Sequence, residues 1–266
     1  MLKNISFFIM CLFILLTTNP VLASDNQIAI IIDDFGGDVK GVDQFLEANI
    51  PITVAIMPFQ KYATEQAELA HKAGLEVIIH MPMEPKKGKA SWLGPNAITT
   101  DLSDEQIKER VHQAIENVPH AVGMNNHMGS KIVENEHIMR IVMEIANEHQ
   151  LYFLDSGTSE KSVIPALAKE LNMPFIARDI FIDDSLSSQR EVELQIDKLM
   201  KLSKSKGKAV GIGHVGIKGN ETFSAVENGW KKMKQNQLRL VYLSELLEAP
   251  ITHQLHHIQY EGGSTP

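Results

Sequence analysis

The chain alternates short, β-branched apolar runs with longer stretches whose apolar positions recur at helical spacing. The runs Ile28–Ile32, Ile52–Met57, Glu76–Ile79, Ala121–Met124, Tyr152–Leu154, Phe175–Ala177, Ala209–Ile212 and Leu238–Leu243 predict strands. Several are apolar at consecutive positions, as strands buried on both faces are. Between them, Thr64–Ala73, Ile132–Glu148, Ser187–Ser205 and Glu221–Gln235 predict helices. A further helix opens at Ser103-Asp104-Glu105-Gln106, where Ser103 is the expected N-cap and Gln106 completes a capping box. Gly74 and Gly207 stand between a helix and a strand, where a C-terminal capping glycine belongs.

Regular β-α alternation means a parallel sheet. An open doubly wound sheet and a closed barrel both satisfy it. No glycine-rich phosphate loop follows the first strand, and the unusual polar residues lie just past the C-terminal ends of many different strands. A barrel gathers those ends around one mouth. The expected fold is therefore α/β, a deformed (β/α) barrel of seven to eight parallel strands. The longest irregular stretch, Met81–Leu102, contains Pro82, Pro85, Gly88, Gly94 and Pro95 and reads as a functional loop.

The first residues change the picture of where this barrel works. Lys3 precedes an almost wholly apolar run, Ile5–Leu16; Asn19-Pro20 then breaks a helix, and Val21-Leu22-Ala23 suits a cleavage site. The expected layout is a signal peptide over residues 1–23, one barrel domain over 24–250 and a flexible tail over 251–266. The apolar run is short for a bilayer span, and no integral membrane segment is expected in the mature chain. A retained N-terminal anchor is the alternative. Cys11, the only cysteine, leaves with the signal, so a metal would have to be held by His, Asp or Glu. Export without disulfides points to a bacterial periplasm or cell surface. The net charge of −8 and the lack of a basic-aromatic stripe exclude nucleic acid as the expected partner.

The candidate chemistry begins at Asp33-Asp34, directly after Ile30-Ile31-Ile32. Two acids at the end of a buried strand are costly without a cation. A structural reading, a helix cap plus an ion pair, competes for the pair taken alone. Three histidines repeat the placement: His80 after the third strand, His127 after the fourth and His214 after the seventh. In a barrel all three would face the same mouth as the two acids. Imidazole and carboxylate together suit zinc or a similar divalent ion. Asp155 ends the fifth strand and Arg178-Asp179 the sixth, as an ion pair or as groups that orient a ligand or base. Glu84, four residues after His80, is a rival ligand, a substrate contact or a loop salt bridge. A glycoside hydrolase would instead need facing carboxylates, such as Asp33 with Asp155 or Asp184, and has no use for the three histidines.

Taken in order, Ile31-Ile32-Asp33-Asp34-Phe35-Gly36, His80-Met81-Pro82-Met83-Glu84-Pro85, Asn125-Asn126-His127-Met128-Gly129-Ser130, Phe153-Leu154-Asp155-Ser156, Arg178-Asp179 and Gly213-His214 resemble the polysaccharide deacetylases, and most closely their divergent exported bacterial branch. The resemblance runs from about Gln27 to Leu247. It implies a metal-dependent hydrolase that removes acetyl groups from an amino sugar or cell-envelope polysaccharide, with an acetylated glycan as its partner. It also implies Asp33 as catalytic base, His214 as general acid, and Asp34 and His80 as metal ligands. Asn126, Asp155, Arg178, Asp179 and Glu84 are then substrate-binding or supporting residues. Two departures matter. The main family places a second metal histidine four residues after the first, where this chain has Glu84, and an arginine motif where this chain has His127. His127 is the expected third ligand, with Glu84 as its rival. The altered ligand set also leaves open a non-catalytic metal- and glycan-binding envelope protein.

Overall fold

The computed structural model describes residues 26–247, Ser185 excepted. The expected signal peptide, Cys11 and the expected tail lie outside the described residues. Among the described residues there are nine strands: β1 Gln27–Phe35, β2 Thr53–Ile56, β3 Glu76–Met83, β4 Gly123–Met128, β5 Tyr152–Asp155, β6 Phe175–Ala177, β7 Ile180–Phe181, β8 Lys208–His214 and β9 Arg239–Val241. Seven helices alternate with them: α1 Val42–Glu47, α2 Ala63–Lys72, α3 Asp104–Asn117, α4 Glu136–Glu148, α5 Ile164–Glu170, α6 Gln189–Lys206 and α7 Gly219–Gln235. Every strand pairing is parallel, in the order β6-β5-β4-β3-β2-β1-β8-β7.

The sheet closes because its two ends are one piece of chain. β6 pairs with β5, and only Arg178-Asp179 separates it from β7, which pairs with β8. The barrel is deformed at a second place. β8 runs beside β1 from Gln27 to Asp33, leaving the other edge of β1 to be shared end to end by β9 and β2.

Alternation along the strands sorts the core into two shells. Ala29, Ile31, Ala55, Ile78, Tyr152, Leu154, Val210 and Ile212 fill the barrel interior. Ile28, Ile30, Ile32, Val54, Val77 and Ile79 face outward onto the helices. The sequence-predicted helix Ile132–Glu148 is broken in two. Ile132–Glu134 is a 3-10 turn, and Asn135 restarts the chain as N-cap of α4, its side chain accepting from Ile138 N at 3.2 Å. The capping box at Ser103 is present, and a second at Ser188 and Glu191 opens α6. The fourth strand runs further than its apolar residues suggest, because β3 continues to Met83 and offers partners as far as Met128. The last strand is shorter than predicted; the chain turns into a 3-10 helix at Leu243. α1, α5 and β7 have too few periodic positions to stand out in the sequence.

Candidate metal and catalytic site

The interior series carries the site upward by twos. Above Ala29 and Ile31 comes Asp33; above Ile78, His80; above Gly123, Asn125 and then His127; above Val210 and Ile212, His214. Asp34 breaks this rule. By alternation it belongs on the outer face, following Ile28, Ile30 and Ile32. Instead a β-bulge lies between Ile32 and Phe35, so three steps on β1 match two on β2. Asp34 sits in the left-handed region at φ 70° and Phe35 takes the outer position, fully buried. Gly36 completes the turn at φ 111°, where a Cβ would lie 2.7 Å from Met57 O, and its N–H donates to Gln66 Oε1 at 2.6 Å.

The bulge brings Asp34 to His80 and His127. Asp34 Oδ1 is 3.3 Å from His80 Nε2 and 3.2 Å from His127 Nδ1, and the two nitrogens are 3.0 Å apart. Bonds of roughly 2.0–2.2 Å to zinc, at tetrahedral to octahedral angles, separate neighbouring donors by roughly 2.8–3.6 Å. The triangle fits such an ion.

The outer nitrogens say the same. His80 Nδ1 is 2.7 Å from Asn125 Oδ1, and His127 Nε2 is 2.9 Å from the Trp92 carbonyl oxygen. Both acceptors require an N–H, which leaves His80 Nε2 and His127 Nδ1 with lone pairs facing Asp34. Asp34 Oδ1 is itself buried and receives no directed hydrogen bond. Three lone pairs converging at this distance repel one another unless a cation lies among them. Among the described residues this is the one group of three side chains placed to hold a metal ion.

Asp33 lies beside the triangle. Its Oδ1 accepts from Asn125 Nδ2 at 3.0 Å, and its Oδ2 is 3.6 Å from His80 Nε2. Burial pushes the Asp33 carboxyl above the usual range, against the pull of His80 and His214. Burial works the same way on Asp34, but when no cation is present and His127 and His80 carry the charge instead, the two imidazoliums outweigh it and hold that carboxylate well below the usual range. On the neighbouring strand β8, where His214 is the register partner of Asp33, His214 Nδ1–H donates to Asp183 Oδ1 at 2.7 Å. Asp183 Oδ2 accepts from His214 N at 3.0 Å and from Thr222 Oγ1 at 2.6 Å. Burial alone would lower His214; Asp183, then Asp34 and Asp33, reverse this and raise it to about 9.

Other expected residues are placed differently. Glu84 accepts from Lys131 Nζ at 2.5 Å and from Thr100 N and Oγ1 at 2.8 and 2.9 Å, so it clasps the ends of a loop and stands apart from the triangle. Asn126 joins the tops of β4 and β5: its Nδ2 donates to Met128 O and Thr158 Oγ1, and its Oδ1 accepts from Ser156 N. Asp155 closes a local turn by accepting from Gly157 N. Arg178 and Asp179 diverge. Arg178 donates to Ser156 O and Gly157 O and lies over the Phe181 ring, whereas Asp179 accepts from Lys206 Nζ and Val210 N. Asp184 is exposed and accepts from Leu186 N. Two residues to which the sequence assigned no role, Asn125 and Asp183, hold His80, Asp33 and His214 in place. Inward alternation from Gly123 and from Phe181 points to both.

A sequence model described as divergent polysaccharide deacetylase matches residues 30–247. An uncharacterized protein of Escherichia coli strain K12, YibQ, is 36% identical over 201 residues, 76% of this chain and 61% of the relative; the chain therefore spans less than two thirds of that protein. Among solved structures, an uncharacterized protein of Agrobacterium tumefaciens C58 aligns with a TM-score of 0.74 at 20% identity, over 83% of this chain and 88% of the other. A family 4 carbohydrate esterase pseudoenzyme of Bacillus anthracis aligns with a TM-score of 0.55 at 13% identity, over 85% of this chain and 66% of the other. At these identities the two structures speak to the fold alone.

Proposed function

This chain belongs to the divergent polysaccharide deacetylase family, and from that premise we propose that it is a metal-dependent hydrolase removing acetyl groups from an amino sugar or cell-envelope glycan. One observation carries the reading: Asp34, His80 and His127 converge three lone pairs on one point, and a separate carboxylate, Asp33, stands beside it.

Asp34 Oδ1, His80 Nε2 and His127 Nδ1 would hold the ion, with two imidazoles and one carboxylate suiting zinc. When bound, a divalent ion makes water acidic enough to react near neutral pH and offers positive charge to a carbonyl oxygen. Asp33 takes the proton of the attacking water. Asn125 holds Asp33 Oδ1 and leaves Oδ2 at the edge of the triangle, 3.6 Å from His80 Nε2. His214, protonated and braced by Asp183, gives its proton to the leaving nitrogen or oxygen as the bond to the acetyl carbon breaks. Acetate and a free amine or hydroxyl result. Each proton-transfer partner contributes on the order of 10²- to 10⁴-fold. The apolar run Ile5–Leu16 behind Lys3 supports export to the periplasm or cell surface.

The test pairs metal analysis of the full chain with acetate release from N- and O-acetylated cell-wall glycans. Asp33→Asn should keep the metal and lose about 10²-fold or more in turnover. Stoichiometric metal with no acetate from any of these glycans would replace the hydrolase with a non-catalytic glycan-binding barrel.

A further inference from the structure

The loop between β3 and α3 carries chemistry that acetyl transfer to water does not use. It contains Lys86-Lys87-Gly88-Lys89 and Trp92, in a chain whose net charge is −8. Lys86 is neutralised by Glu134 at 2.5 Å. Lys87 and Lys89 are exposed and have no carboxylate partner among the described residues. Lys89 Nζ lies 5.1 Å from the Trp92 ring centroid. Trp92 is 59% exposed, yet its carbonyl oxygen is the group that His127 Nε2 reaches at 2.9 Å. An exposed indole, with the Lys89 ammonium over one face, thus belongs to the residue whose carbonyl meets His127, and Lys87 lies five positions before it on the same loop.

This rim is pinned in place. Ile98 N donates to Pro82 O at 2.8 Å and Glu84 N to Ile98 O at 2.9 Å, so the returning chain pairs with the tip of β3. Lys86 N donates to Ser130 Oγ at 3.0 Å, and Glu84 grips Thr100 and Lys131. On this pinned backbone the exposed indole offers, on the face away from Lys89, a flat apolar surface of the size of a pyranose ring. The ammonium groups beside it suit an anionic substituent on that ring, and their attraction is strongest at low ionic strength.

We propose that loop residues Lys87, Lys89 and Trp92 form a subsite for a carboxylate-bearing pyranose, adjacent to the acetylated residue at the metal triangle. The identity of that neighbouring residue rests on the deacetylase reading; the subsite's preference for charge does not.

Two tetrasaccharides decide it: one alternating N-acetylglucosamine with a uronic acid, the other N-acetylglucosamine throughout. Binding to the full chain is followed by Trp92 fluorescence in a Trp230→Phe background, these being the two tryptophans. The anionic sugar should bind about three- to tenfold more tightly, as two exposed charge pairs allow. The preference should vanish in Lys87→Ala/Lys89→Ala and at about 0.5 M salt, where the screening length falls to about 4 Å. Trp92→Phe should retain part of the affinity for both sugars and Trp92→Ala should lose it, both followed by titration calorimetry because these variants lack the reporter indole. Equal affinities, or a preference untouched by the lysine changes, would overturn the subsite. Acetate release is measured in parallel: its failure with the charge preference intact counts against the hydrolase and supports the subsite.

Discussion

At the scale of single residues, Asn125 is the hinge of the site. It receives the His80 Nδ1 proton and donates to Asp33, so one side chain sets a tautomer and orients a base. Asn125→Ala leaves a buried N–H without an acceptor, at about 1–3 kcal/mol. Losing such a supporting bond lowers metal affinity by about 10- to 100-fold; competition with a chromogenic chelator measures it. An unchanged affinity would mean that His80 is oriented by packing alone. His214 tests the neighbouring strand, β8. Its pKa, raised to about 9, makes the Asp183 pair a source of stability that is complete below about 6.5 and is lost as pH rises through about 9. In metal-free protein the His214 ring should titrate near that value by NMR, and Asp183→Asn should move the titration to lower pH. A wild-type ring titrating near 6.5 would contradict the pairing.

Among the elements, the end of β1 decides most. Its bulge turns Asp34 onto the mouth at the cost of a non-glycine residue at positive φ, about 1–3 kcal/mol of strain. The same residue holds a buried oxygen without a directed hydrogen bond. Asp34→Gly removes both, so metal-free Asp34→Gly should melt above metal-free wild type. Saturating metal should then raise the wild-type melting temperature, by about 2.7 kcal/mol of binding free energy at a hundredfold excess over Kd, and leave the variant unmoved. A variant that melts lower without metal would show that the bulge is stabilised by Asp34 itself. The bulge was legible in part: the outward series Ile28, Ile30, Ile32 resumes at Phe35, one position late. β4 was harder to read because Asn125, Asn126 and His127 lack apolar character, and their ladder exists only because β3 extends to Met83.

For the whole molecule, β1 sets His214 beside the acids, because Asp33 and His214 are register partners on neighbouring strands, and closure is a separate event that joins the two ends of the sheet. It depends on Arg178-Asp179, which read in sequence as an ion pair at the mouth. The structure separates them: Arg178 reaches the turn after β5, and Asp179 binds β8 through Val210 N and Lys206. Asp179→Ala should destabilise the chain by about 1–3 kcal/mol in urea unfolding, since it strips a part-buried backbone N–H of its acceptor. Metal content should stay the same, and a loss of metal in a folded variant would return Asp179 to the site. Among the described residues no helix is long and apolar enough to cross a membrane.

The amino-acid sequence alone determined the β-α alternation, the parallel barrel and the set of strand-end residues, because buried strands and their polar tips are written in local patterning. It also determined Asp33-Asp34 as the place to look. Which carboxylate meets the histidines was decided by a bulge, of which the sequence shows only the late return of the apolar series at Phe35 and not the direction in which Asp34 is turned. Which of His127 and Glu84 lies beside Asp34 and His80 was also decided in space, because each follows the apolar run of a strand by a few residues. Only tertiary contacts, with Trp92 O on one and with Lys131 and Thr100 on the other, bring His127 to the triangle and make Glu84 a clasp.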